Sequence, residues 1–300
     1  MATKRTNNQT QQQGLYKPKF GFRFLGSCET FVYSDKRLRP TWEPPKGYRL
    51  KAEHRRQLCV HLAAHAAVSE MGRAWVYMLA VPPAGVRSWT ISERKCNSLG
   101  KIWGVCSTSD VYCDDMEWDD DGQRFVANRQ AWEAKLSQRH ENFMHEHLNP
   151  RPDRSVYDPF SGGAPTLDEF LADNRRVCRA QVCGYLAGHI ADGIVAGMTA
   201  DEALSLYDRR DTQYVGESDI VVAQGLAGLL PPGEYENAVR VTEEVLRRPY
   251  VWEAVTQLAE ELEKFGLIEG DDCEADLHEL LPERLCDWPP APDQTLADPM

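Results

Sequence analysis

The sequence predicts a mainly α fold of the α+β type, with a small antiparallel β-meander and a C-terminal helical bundle. Three observations carry this. Residues 51–71 contain no Pro or Gly, and apolar side chains recur there among strong helix formers. The period then changes to short apolar, β-branched or aromatic stretches separated by turn-forming strings. After residue 167 a helical pattern returns and continues to about residue 265.

The elements follow in order. Residues 1–14 are polar and Gln/Asn-rich, the composition of a disordered tail. Residues 15–50 mix aromatics with Pro40, Pro44 and Pro45 and read as an irregular N-terminal arm. The first strong helix spans 51–71, with Leu58, Val60, Leu62, Ala66 and Val68 in it and Gly72 as its stop. Strands are predicted over 74–81, 87–92 and 101–106, divided by Pro-Pro-Ala-Gly and Asn-Ser-Leu-Gly.

Residues 110–125 are strongly acidic, 126–148 read as a charged surface helix, and 149–166 form a Pro- and Gly-rich loop. Residues 107–170 or so thus look like an acidic surface insertion, a natural place for partner contact. A short helix over 167–172 and a long one over 175–196 come next. Thr199 with Glu202 three residues on is a capping-box pattern and starts a helix over 199–206. Helices over 218–230, 233–247 and 250–265 complete the bundle. The main unit is read as 51–284, and 285–300, rich in Pro and Asp, as a second disordered tail.

Composition narrows the function classes. Hydrophobic residues make up 42% of the 300, which excludes wholesale disorder. The net charge of −12 argues against a nucleic-acid partner held by the whole surface. Residues 1–56 carry 13 Lys and Arg against 4 Asp and Glu, but hold no recognisable nucleic-acid-binding motif. No apolar run approaches the roughly 18 residues of a membrane segment. The N-terminus lacks the apolar core of a secretory signal. Nine cysteines without a CxxC pair suit a reduced chain, and the expected location is cytoplasmic. Gly100-Lys101 lacks the upstream glycine of a phosphate loop, so no ATPase module is read.

The chemistry centres on His61-Leu-Ala-Ala-His65 in the first helix. Residues four apart lie one turn above each other, so both imidazoles project from one face and can offer two nitrogens to one zinc ion. The spacing alone is also common among packed or surface histidines. Its surroundings add to it. The string from Cys59 to Val68 resembles the HEAGHA-V signature of the FtsH-type zinc metallopeptidases. Val86–Ile91 and Leu99-Gly100 resemble the segment after that family's zinc helix. Cys183–Asp192, containing Leu-Ala-Gly-His, is similar to its LAGR-AE helix. Gly216–Ala223 resembles the helix start that carries its third zinc ligand, and Val251–Leu280 its closing helices.

The resemblance implies a zinc site of His61, His65 and Asp219, with one position left open as in catalytic zinc sites. Without it, Asp219 would be a helix N-terminal acid favoured by the dipole. The resemblance also implies a peptide or protein as partner. Any ATPase would be a separate partner, since this chain has none. The family's general base, the Glu after the first His, is here Leu62. A positioned base is typically worth about 10²–10⁴-fold, and leucine carries no proton. The chain therefore reads as a zinc-binding pseudopeptidase with no certain catalytic residue. Two alternatives stand beside it: an active zinc metalloendopeptidase with a displaced base (Glu53, Glu70, Asp192 or Glu217), and a metal-free helical interaction or adaptor protein. Leu62→Glu is expected to restore some hydrolysis if metal and groove are intact. The groove beside the meander is the expected docking surface, because extended peptides pair with strand edges.

Other candidates read as structural. His140, His145 and His147 lack a clean metal spacing and suit a solvated helix face. Glu117, Asp119, Asp121 and Gly122 echo a calcium loop, but Asn128 stands where the closing Glu is needed. His189 replaces the family's Arg and is read as packing beside the metal helix, with a role as an extra ligand as the alternative. Cys59 is read as buried.

Overall fold

A computed structural model describes residues 23–25, 30–34, 37–41, 49–74, 76–85, 104–108, 112, 115–119, 122, 124–148, 164–205, 219–269, 277 and 280–281. It is mainly helical with small antiparallel sheets. The described helices are α1 (Ala52–Met71), α2 (Arg129–Leu148), α3 (Leu167–Val195), α4 (Ala200–Ser205), α5 (Asp219–Ala227), α6 (Glu234–Leu246) and α7 (Pro249–Phe265). The strands are β1 (Arg23–Leu25), β2 (Thr30–Ser34), β3 (Arg37–Thr41), β4 (Val76–Ala80), β5 (Val105–Thr108), β6 (Met116–Asp119), β7 (Arg124–Ala127) and β8 (Leu267–Glu269). Among the described residues no helix is long and apolar enough to cross a membrane.

Helix α1 is the hub. It packs on α3 along one side and on α7 along another, while α3 also carries α5 and α6. Leu58, Leu62, Leu186, Ile190, Leu226, Leu258 and Leu262 are all buried in this core. Each such side chain contributes about 1.5–3 kcal/mol by leaving water. Gly72 caps α1, as read from the sequence.

Helix α3 is one continuous element of 29 residues, not a short helix and a long one. Thr166 and Glu169 form a reciprocal capping box at its start. Asp173 and Asn174, which lie between the two predicted helices, are inside α3. Asn174 Nδ2 donates to the Phe170 carbonyl (2.8 Å) and its Oδ1 accepts from the Tyr112 hydroxyl (2.7 Å). The capping box at Thr199 and Glu202 is present as expected, with Thr199 N donating to Glu202 Oε2 at 2.8 Å.

The main sheet has the order β1-β5-β4-β8 and every pairing is antiparallel. Strands β4 and β5 belong to the predicted meander; the predicted strand over 87–92 lies outside the described residues. The sheet is completed from distant parts of the chain. Strand β1 comes from the arm read as irregular, and that arm also supplies the β2-β3 pair. Strand β8 follows α7, where Gly266 at φ +76° reverses the chain out of the helix. The sequence reading places this segment within Val251–Leu280, the stretch that resembles closing helices. Both edges of β4 and both edges of β5 are therefore occupied, and no strand edge is open at the centre of the sheet. The outer edges of this sheet are those of β1 and β8.

The acidic stretch holds the β6-β7 hairpin and α2. Trp132 and Leu136 of α2 are buried, and Trp132 meets Tyr112 edge-on (5.4 Å between centroids). Helix α2 is thus charged outward yet anchored on the core.

Candidate metal centre

The site is assembled where α1, α3 and the start of α5 meet. His61 and His65 share one face of α1, as their spacing dictates. That face is turned toward α3, which approaches closely because residue 188 is glycine. A Cβ there would stand 2.6 Å from both His61 Cε1 and Nε2, and closer still to His65 Nε2. Asp219, the first residue of α5, brings Oδ2 to 3.4 Å from His65 Nε2 and 4.0 Å from His61 Nε2. The two Nε2 atoms are 3.1 Å apart.

Helix α3 also fixes how both rings are turned. His65 Nδ1 lies 2.6 Å from the Gly184 carbonyl, which can only accept, so this nitrogen carries the proton and donates. His61 Nδ1 lies 2.6 Å from Asp192 Oδ2, and Gln57 Nε2 donates to Asp192 Oδ1 at 3.3 Å. Both Nδ1 atoms are thereby committed to α3. The two Nε2 atoms, left to face each other, present lone pairs across 3.1 Å beside a carboxylate. Such a cluster of acceptors calls for a cation between them: a proton that makes one ring an imidazolium, or a metal ion. A tetrahedral zinc with ligand bonds of about 2.0–2.1 Å holds its ligand atoms about 3.4 Å apart. The observed separations of 3.1, 3.4 and 4.0 Å are close to that. The residues therefore fit a metal ion, and the Asp192–His61 contact is the outer-shell support typical of metal-bound histidines.

The carboxyls respond to this setting. Burial alone would raise Asp219, but the hydrogen bond and charge of His65, then the charges of His189 and His61, hold it below the usual carboxylate range. Burial pushes Asp192 up to about 7, against the pull of His189, Gln57 and His65.

His189 is the residue that sequence reasoning undervalued. It was read as packing beside the metal helix, and it does meet His61 edge-on, with centroids 5.2 Å apart. It also offers a ligand atom that lies, with those of His61 and Asp219, in a buried group spanning no more than 4.8 Å. The histidine in the Leu-Ala-Gly-His string, where the resemblance would have an Arg, was the signal. Asp192, offered as a displaced base, instead orients His61. Glu53 is exposed beside Lys51, and Glu217 lies outside the described residues. Leu62, at the base position, is fully buried, and its Cδ1 fills the space beside Gly104, 2.6 Å from where a Cβ there would be.

The remaining candidates resolve as structural. His140 is buried, not solvated, with Nε2 at 2.8 Å from the Pro165 carbonyl, while His145 is exposed. Glu117 and Asp119 lie in β6, Asp119 accepts from Gly122 N (3.1 Å), and Asn128 Oδ1 accepts from Ala131 N (3.0 Å) at the start of α2. They form a hairpin and a helix cap, not a cation loop. Cys59 is buried, and burial pushes its thiol up to about 12 despite the nearby Arg55. No family model, curated protein or solved structure matches this chain.

Proposed function

We propose that this chain is an FtsH-type metallopeptidase-like protein that binds one zinc ion through His61, His65 and Asp219 and acts by binding a peptide or protein rather than cleaving it. One observation carries the reading. A pair of histidines and an aspartate converge with metal-like spacing, while the residue between them in the base position is a buried leucine.

The chemistry follows from the side chains. When bound, zinc would supply a Lewis acid able to polarise a carbonyl. Hydrolysis also needs a group that takes a proton from the attacking water and returns it to the leaving amine. Leu62 has no such group. Asp192, the nearest carboxyl of α3, is engaged by His61 Nδ1 and Gln57. Among the described residues, those that would hold the metal converge, and the position that the resemblance gives to the base is a leucine.

The test is elemental analysis of tag-free protein together with the His61→Ala and Asp219→Ala variants, followed by incubation with an unfolded protein substrate. One zinc per chain, lost in both variants, with no chelator-sensitive cleavage, is the expected result. Chelator-sensitive cleavage abolished by His61→Ala would establish the active-peptidase reading instead. Absence of metal after zinc is supplied would leave only the scaffold.

A further inference from the structure

We infer that His189 is a fourth protein ligand, so that His61, His65, His189 and Asp219 close a three-histidine, one-aspartate shell with no position open for substrate. This rests on the reading that the site holds a metal. It changes what the metal does, from a catalytic centre to a structural one.

Three observations converge. The ligand atoms of His61, His189 and Asp219 lie within 4.8 Å of one another, and His65 Nε2 is 3.1 Å from His61 Nε2 and 3.4 Å from Asp219 Oδ2. His61 and Asp219 are common to both sets, so His65 and His189 flank the same pair of donors. The second observation is how His189 is delivered. Gly188 lets the α3 backbone pass against the two α1 imidazoles, and the next residue places its ring beside His61. Asp192, three residues further on and so on the same helix face, orients that same His61. A single turn of α3 therefore supplies the space, a ligand and the outer-shell support. Third, none of the four side chains is more than 3% exposed. Zinc sites with four protein ligands and no access to solvent are structural, whereas catalytic ones keep a position open. The buried Leu62 agrees with this, because a closed shell has no use for a base.

The experiment uses the full chain loaded with Co(II) in place of zinc. X-ray absorption should count three imidazoles on the wild-type metal. The visible spectrum should be that of a four-coordinate ion and should not change when azide is added. His189→Ala should bind metal more weakly than the wild type, by more than the roughly 10–100-fold typical of an outer-shell change. Its X-ray absorption should show two imidazoles, and its spectrum should shift with azide. Two imidazoles in the wild-type protein, or an azide-responsive wild-type spectrum, would overturn the inference while leaving the metal site standing. These readouts need no variant, so misfolding of His189→Ala cannot hide the answer. If the wild type takes up neither Co(II) nor zinc, the metal reading itself fails and the fourth ligand falls with it.

Discussion

Gly188→Ala asks whether the gap between α1 and α3 is the metal's. The new methyl carbon would sit 2.6 Å from His61 Cε1 and Nε2 and nearer still to His65 Nε2. Neither ring can swing away freely, because each Nδ1 is held at 2.6 Å by α3, through Asp192 and the Gly184 carbonyl. Two opposing effects act on the metal-free protein. Alanine in a helix interior gains about 1 kcal/mol over glycine. Overpacking in a filled core costs about 1–3 kcal/mol. The apo variant should therefore lose only about 0–2 kcal/mol. The metal-dependent part is larger. Zinc at a thousand times its Kd contributes about 4 kcal/mol to a protein that binds it only when folded. For a chain of this size that corresponds to a rise of roughly 8–16 °C in melting temperature. The variant should lose that increment, because its methyl group occupies the space the ion needs. Thermal denaturation with added zinc and with chelator, read beside bound metal by elemental analysis, measures both parts. A variant that keeps the full zinc-dependent rise and one metal per chain would refute the placement of the ion.

Asp192→Asn keeps the shape but replaces the carboxyl facing His61 Nδ1 with a neutral amide. It should weaken zinc binding about 10–100-fold in competition with a chromophoric chelator, and unchanged affinity would end its orienting role. Leu62→Glu places a carboxyl where the side chain is fully buried beside Gly104. Sequence alone anticipates recovered hydrolysis. The burial reverses that expectation, toward a loss of several kcal/mol in denaturant titration and no gain in cleavage. Chelator-sensitive cleavage by Leu62→Glu would show that the cradle opens to substrate. Burial raises the Cys59 thiol to about 12, so it stays protonated at pH 8 and should react with a thiol reagent only after unfolding. Rapid modification of Cys59 in the native protein would contradict the packing of α1.

Much of the helical frame was legible because it depends on local signals. The apolar periodicity of α1, the Thr199-Glu202 box and the glycine at 72 mark helices and their ends without any knowledge of the partner surfaces. The sheet was less legible. Strands β1 and β8 are three residues each, too short to show alternation, and they become strands only by pairing with β5 and β4. The break predicted near residue 173 failed for a related reason. Asp and Asn lower helix propensity, but Asn174 is held in α3 by Phe170 and Tyr112, a contact with the segment before α2 that no local rule contains. At the site, the i, i+4 spacing placed His61 and His65 together from sequence alone. Asp219 came only through family resemblance, and the structure brings it to 3.4 Å from His65. His189 was undervalued because its role depends on the missing side chain one residue earlier, at Gly188.

The leucine at position 62 and the enclosure of the cradle are better understood together than as separate features. An acid in that position serves a metal that substrate and water can reach. On the proposed reading α3 and α5 cover the ion, and an acid beside His61 would then be a buried charge needing its own partner. The carboxyls already present are committed to the histidines: Asp219 faces the Nε2 atoms and Asp192 holds Nδ1 of His61. Each further unpaired charge in such a pocket costs several kcal/mol. Leucine avoids that cost and fills the space beside Gly104, adding to the core that α1 shares with its neighbours. On the proposed reading, metal affinity and fold stability then become one quantity, because the ion joins α1, α3 and α5. Chelation should loosen these three helices together rather than switch off a reaction, and hydrogen exchange along α5 is where that loosening should be largest, since this nine-residue helix contributes a ligand from its first turn.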